Sequence, residues 1–184
     1  MVKERKVAQM AAYLLDKQAG RMPHLKLMKL LYLTDRESMQ RYGNVVSGDR
    51  VVAMKHGPVL SMTLNYINGY VRSEENGWES WISDRENHEV SLRRDVNRET
   101  LDELSDADIE ILDTIWEQFG HMDQWQIRDY THDHCPEWED PGDTSIPIPY
   151  HKIFEALGKS REEAKALAED LEAQRDLDRL LNSI

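Results

Sequence analysis

His24-Leu25-Lys26-Leu27-Met28-Lys29-Leu30-Leu31-Tyr32-Leu33 opens a stretch that runs to Tyr42, and its reading decides the architecture of the chain. Apolar side chains at 25, 27, 28, 30, 31, 32 and 33 are too many for one stripe of a helix. A helix that is apolar on most sides belongs in the middle of a fold, with other elements packed around it. Met22-Pro23 precedes it, and Gly43 can end it as a left-handed cap.

Working outward, Val7, Met10, Ala11, Leu14 and Leu15 form one apolar stripe of a first helix, which the Gly20 region ends. Val45 to Arg50 reads as a loop and Val51 to Lys55 as a short extended run, interrupted by His56-Gly57-Pro58. Proline suits a first helical position, and Val59, Met62, Thr63, Tyr66, Ile67 and Tyr70 then share a face, so a helix is predicted over about 58–70. Trp81-Ile82 and Val90-Ser91-Leu92 flank a polar turn and predict a two-stranded hairpin.

Ser105 caps a helix carrying Ile109, Leu112, Ile115, Trp116 and Phe119, and Asp123 caps the next, with Trp125, Ile127, Tyr130 and Thr131. The segment from Cys135 to Pro149 holds four prolines and one glycine, the composition of an irregular but shaped loop. Tyr150, Ile153, Phe154 and Leu157 fit a short helix ending at Gly158. Ser160 and Glu163 form a capping box for a last helix, whose Ala164, Leu167, Ala168 and Leu171 make one stripe. Leu177, Leu180, Leu181 and Ile184 make a second, displaced stripe, so the helix can dock by one part and offer the other to a partner. The fold class is mostly α: a compact single-domain helical fold with a short β-hairpin or small strand element.

The chain has 184 residues, enough for one substantial core, and 23 Lys+Arg against 35 Asp+Glu give a net charge of −12. That excludes an overall basic footprint for nucleic acid. Residues 1–72 carry 12 basic and 5 acidic side chains, leaving 11 basic and 30 acidic for 73–184, so the charge is split along the sequence. No run reaches the roughly 20 apolar residues of a membrane span, and the lone Cys135 has no disulfide partner. A cytoplasmic location without membrane contact is expected.

His121, His132, Asp133, His134 and Cys135 have the residue types of a zinc site, but the HxHC run is too compact and lacks a second CxxC or an HExxH. Histidines that end a helix and satisfy its last carbonyls are the preferred reading, with no metal and no cofactor. Neighbouring acidic residues argue against a reactive Cys135 thiolate. His56 is read as a partly buried post that braces its turn, ahead of a positioned catalytic imidazole. Lys26, Lys29, Arg36 and Arg41 raise DNA contact as a lesser alternative to a solvated rim or to pairing with the acidic half. Trp138, among Glu137, Glu139 and Asp140, is an aromatic anchor fixed inward or offered to a partner. No assembled catalytic group is found.

Leu27-Met28-Lys29-Leu30-Leu31-Tyr32-Leu33-Thr34-Asp35, Tyr42-Gly43 and Ala53-Met54-Lys55-His56-Gly57-Pro58-Val59 together resemble the signature of the Panacea domain, the SocA-like antitoxin family also labelled phage-associated protein. Tyr130-Thr131-His132 with Cys135-Pro136-Glu137-Trp138 resembles its second block, and the likeness spans about residues 5–158. Many members have Gln where this chain has Met28. The resemblance implies a mostly helical antitoxin that neutralises a cognate toxin by direct contact, or a protease adaptor or regulatory binding module; the lack of an assembled catalytic group makes the chain non-enzymatic in this reading, with a metal-dependent enzyme using His56, His132, His134 or Cys135 the least favoured alternative. Residues 1–158 would form the antitoxin domain and 159–184 an added acidic amphipathic helix. The motif residues carried over, as partner-binding or structural positions, are Tyr32, Asp35, Lys55, His56, Gly57, Pro58, His132 and Trp138.

Overall fold

The computed structural model of the chain describes residues 2–181. Helix α2 (His24–Tyr42) is the axis of the molecule: Leu27, Leu30, Leu31 and Tyr32 are wholly buried on several of its sides. Around it pack α1 (Glu4–Lys17), α5 (Asp106–Phe119), α6 (Gln124–His134) and α7 (Tyr150–Ala156). The apolar excess of the central run is thus explained by neighbours on most sides. Gly43, at φ +69°, ends α2 by donating its N–H to Met39 O at 3.1 Å.

Two small antiparallel sheets flank the helices. Strand β1 (Arg21–Pro23) pairs with β4 (Glu89–Ser91), Met22 opposite Val90. The second sheet has the order β3-β2-β5, from Gly57–Leu60, Val51–Met54 and Ile146–Pro147, with Val52 opposite both Val59 and Pro147.

The helix expected over 58–70 begins later, as α3 (Ser61–Ile67), because the chain reverses at Gly57 and residues 57–60 run back along β2. Pro58 therefore lies in an edge strand opposite Ala53, where a missing N–H is tolerated as well as it is at a helix start. The hairpin expected from 81–92 is reduced to isolated bridges, Ile82 to Leu92 and Glu86 to Glu89, around a turn in which Asn87 and His88 take positive φ. Trp78 and Trp81 instead occupy a single helical turn, α4 (Trp78–Trp81), whose i, i+3 spacing buries both rings beside α1, and β4 takes β1 as its partner.

The predicted caps form. Ser105 Oγ accepts from Asp108 N at 3.2 Å while Asp108 accepts from Ser105 N at 2.8 Å, and Asp123 accepts from Trp125 N and Gln126 N at 2.7 and 2.9 Å. Ser160 and Glu163 form the same box at α8 (Arg161–Leu181). Ala164 and Leu171 dock α8 on the body, and Arg175 is buried with them. Its Nη1 donates to Gly48 O at 2.9 Å, Asp49 O at 3.1 Å and the Tyr150 hydroxyl at 2.6 Å. Leu177 and Leu181 point away from the body, while Ile184 lies outside the described residues. No helix among the described residues is long and apolar enough to cross a membrane.

Candidate functional site: a buried polar clamp beneath the hairpin

Lys29, Tyr32 and Arg36 are spaced three, four and seven apart, so the otherwise apolar α2 presents three polar groups on one face. That face meets the β2–β3 turn, the end of α6 and the loop that follows it.

Lys29 is 0% exposed and its ammonium donates to Pro58 O at 2.7 Å. Burial pulls its pKa down to about 7. Gly57, at φ +96°, lies directly over it: a Cβ there would sit 2.7 Å from Lys29 Nζ and 2.9 Å from Thr131 Oγ1. The position demands glycine both for its backbone angle and for the closeness of the lysine.

Deeper in, the Tyr32 hydroxyl and Arg36 Nε both donate to Glu137 Oε1, the latter at 2.7 Å. The Glu137 side chain is itself fully enclosed. Burial, then Cys135 and Glu137, push the Tyr32 phenol well above its ordinary range, so it stays a donor. Burial opposes the charge on Arg36, but its hydrogen bond to Glu137 more than offsets this and holds the guanidinium protonated. Glu137 Oε2 and His132 Nε2 are buried without a hydrogen-bond partner. The Cys135 thiol is buried too, and burial with Glu137 pushes its pKa up to about 11, which leaves a poor nucleophile.

His132 stacks on Trp138 with ring centroids 4.0 Å apart and planes within 7°. Trp138 Nε1 donates to Met54 O at 3.0 Å, so the loop after α6 is tied to the end of β2. Burial, then Lys29 and Arg128, lower the His132 pKa and keep the ring neutral. His134 behaves as a helix-ending histidine, with Nδ1 3.1 Å from Tyr130 O.

Asp35 belongs to a neighbouring cluster. It accepts from Ser47 N at 2.9 Å and from Ser47 Oγ, and burial raises its pKa to about 6. Asp49 accepts from Met62 N at 3.1 Å, Thr63 N at 2.7 Å and Thr63 Oγ1 at 2.8 Å, which caps α3. Together they pin the 43–50 loop that Arg175 and the Tyr150 hydroxyl hold from the other side.

The motif residues thus divide into three groups, Asp35 standing in the neighbouring cluster. Tyr32, Gly57, Pro58, His132 and Trp138 converge with Lys29, Arg36 and Glu137, while Lys55 and His56 are exposed at the turn tip, Lys55 3.1 Å from Asp143. His56 is therefore not the buried brace expected of it. The reversal at Gly57 turns its ring to solvent, and Lys29 braces the turn from beneath. The basic residues of α2 form no open anion patch, and two of them pair with the acidic half as expected: Arg36 with Glu137 and the exposed Arg41 with Glu110. Lys26 is buried over the Trp116 ring and donates to Gly120 O, at the end of α5, at 2.7 Å; Arg41 pairs with Glu37 at 2.6 Å.

Among the described residues, no group of three or more His, Cys, Asp or Glu side chains could hold a metal ion. Surface clefts lie elsewhere: one of about 710 Å³ is lined by Val2, Met62, Tyr66 and Asp178, and another of about 720 Å³ by His151, Lys152, Arg161 and Lys165. The chemistry available to the clamp is ion pairing and hydrogen bonding that fix a hairpin and a loop in place.

Fold and clamp define a mostly helical domain whose signature residues serve to position surface elements. Against models of known families, residues 27–139 match antitoxin SocA-like, Panacea domain, and the chain belongs to that family. The matched span encloses the whole clamp, from Lys29 to Trp138. Membership gives the chain an antitoxin role in general and a toxin as the general class of its partner. The comparisons with curated proteins and with solved structures returned no match.

Proposed function

We propose that this chain neutralises a cognate toxin by direct protein–protein contact, without chemistry of its own. The observation that carries this reading is the burial of the signature. Lys29, Tyr32, Arg36 and Glu137, the polar groups that the signature brings together, are spent on one another and on Pro58 O. An acid or base must come within hydrogen-bond reach of a substrate, and Lys29, Tyr32 and Glu137 are enclosed by the core, while the partly buried Arg36 is held by Glu137.

What the clamp leaves at the surface is shape: the Lys55-His56 tip, the Trp138 loop and the acidic C-terminal region. A strongly acidic surface mainly speeds and orients association with a basic partner. We take residues 1–158 as the antitoxin domain and 159–184 as an added helix that extends its contact surface in the cytoplasm.

The test is co-expression with the product of the adjacent open reading frame. That product should arrest growth alone and should be relieved by this protein, and the two should co-purify. A harmless neighbour, or one that stays toxic in the presence of this protein, refutes the reading.

A further inference from the structure

Helix α8 carries two faces. Ala164, Leu171 and Arg175 lie on the inner one. Leu177 is two residues beyond Arg175, which is about 200° around the helix, and Leu181 is one turn further on Leu177's side. Leu177 and Leu181 are 56% and 62% exposed.

The charge around them is one-sided. From Glu169 to Leu181 the helix holds Glu169, Asp170, Glu172, Asp176 and Asp178, against Arg175 and Arg179. Arg175 is consumed inside the fold by Gly48 O, Asp49 O and Tyr150. Glu169, Glu172 and Asp176 have cations at 3.7, 3.8 and 3.2 Å, in Lys165, Arg50 and Arg179. Asp170 and Asp178 have no ion-pair partner among the described residues. Asp170 is seven residues before Leu177, almost in line with it, and Asp178 lines the 710 Å³ cleft, whose other charged residues are of both signs: Glu4, Glu74 and Glu103 with Lys3, Arg5 and Lys6.

We propose that the outer face of α8 around Leu177 and Leu181 docks an amphipathic helix of the toxin whose apolar stripe is bordered by Lys or Arg. The inference rests on the neutralisation reading and adds where contact is made and by what chemistry. Its geometry is that of a helix laid along a helix, with the leucines as apolar anchors and Asp170 and Asp178 receiving the bordering cations. A second copy of this chain would set the same carboxylates against themselves, and like charges at a contact are unfavourable. An anionic lipid surface or nucleic acid would meet the same repulsion.

The experiment titrates the full-length protein against the purified product of the adjacent reading frame, at low and high ionic strength. Leu177→Asp with Leu181→Asp should weaken binding by at least about 100-fold, the lower end of what losing two buried leucines costs, while the unfolding midpoint stays put because both side chains are exposed. Asp170→Lys with Asp178→Lys keeps the leucines and should slow association by about tenfold at low salt, an effect that shrinks as salt screens it. Both variants binding as the wild type does would overturn the proposal. So would a wild-type dimer in sedimentation that the leucine substitutions dissociate, since the occupant would then be a second copy. A wild type that does not bind at all refutes the neutralisation reading itself, a different and separable result.

Discussion

Replacing Gly57 with alanine adds one methyl group at the most constrained point of the clamp. At φ +96° any side chain is strained, which costs about 1–2 kcal/mol for an L-residue. The new Cβ would also stand 2.7 Å from Lys29 Nζ, 3.2 Å from Lys29 Cε and 2.9 Å from Thr131 Oγ1. A lysine end can usually swing aside, but Lys29 is wholly buried and its alternatives are apolar, so the swing forfeits the 2.7 Å bond to Pro58 O. Leaving that donor unsatisfied costs about 1–3 kcal/mol. The sum is about 2–5 kcal/mol, measured as a lower urea midpoint with an unchanged m value. A double-mutant cycle separates the parts: on a Lys29→Met background, Gly57→Ala should cost about 1–3 kcal/mol less, the share of the forfeited lysine bond, while the backbone strain and the approach to Thr131 Oγ1 remain. A loss below about 1 kcal/mol in the wild-type background, or equal losses in both backgrounds, would refute the claim that glycine is required by the lysine beneath it.

Trp138→Ala removes a ring stacked on His132 and the bond to Met54 O and should cost about 2–4 kcal/mol, whereas His56→Ala, at an exposed tip, should stay within about 0.5 kcal/mol in the same unfolding assay. Asp35 has a folded pKa of about 6, above its ordinary 3.8, so the native state binds the extra proton between these values and stability falls as pH rises through them. The difference between wild type and Asp35→Asn should therefore change by roughly 2–3 kcal/mol between pH 4 and 7, and a flat difference would count against a strained buried carboxylate. Lys29 has the opposite sign: with its folded pKa at about 7, the unfolded chain binds more protons above that pH and stability rises. Lys29→Met should remove roughly 2–3 kcal/mol of that rise between pH 7 and 9, seen by comparing its urea midpoints with those of the wild type.

Where the determinants were local, the sequence was legible. The run from Leu25 to Leu33 placed the central helix, and Ser105, Asp123 and Ser160 marked helix starts through capping bonds that span three residues. Gly57-Pro58 misled because proline fits a helix start and an edge strand equally well, and the choice was made by pairing with Val51–Met54 and by a lysine from another helix. Of the clamp, the family motifs pointed to Tyr32, Gly57, Pro58, His132 and Trp138. For Arg36 the sequence allows pairing with the acidic half, which Glu137 supplies, but it does not say that Lys29, three residues before Tyr32 on the same face, is buried against a backbone carbonyl. Glu137 gave no local signal: it sits in an acidic loop like a solvated residue, and its partners Tyr32 and Arg36 lie 105 and 101 residues away. Arg175 was hidden in the same way, one cation in an acidic helix whose acceptors are backbone carbonyls 126 and 127 residues distant.

The central claim is neutralisation by contact alone, and the direct test is a titration of toxin activity with this protein at toxin concentrations well above the dissociation constant. Inhibition should grow linearly and end at a fixed molar ratio of the two chains, with the toxin released intact and active when the complex is dissociated. Complete inactivation by a small fraction of an equivalent, or a toxin that leaves the complex covalently altered, would show turnover and contradict the account.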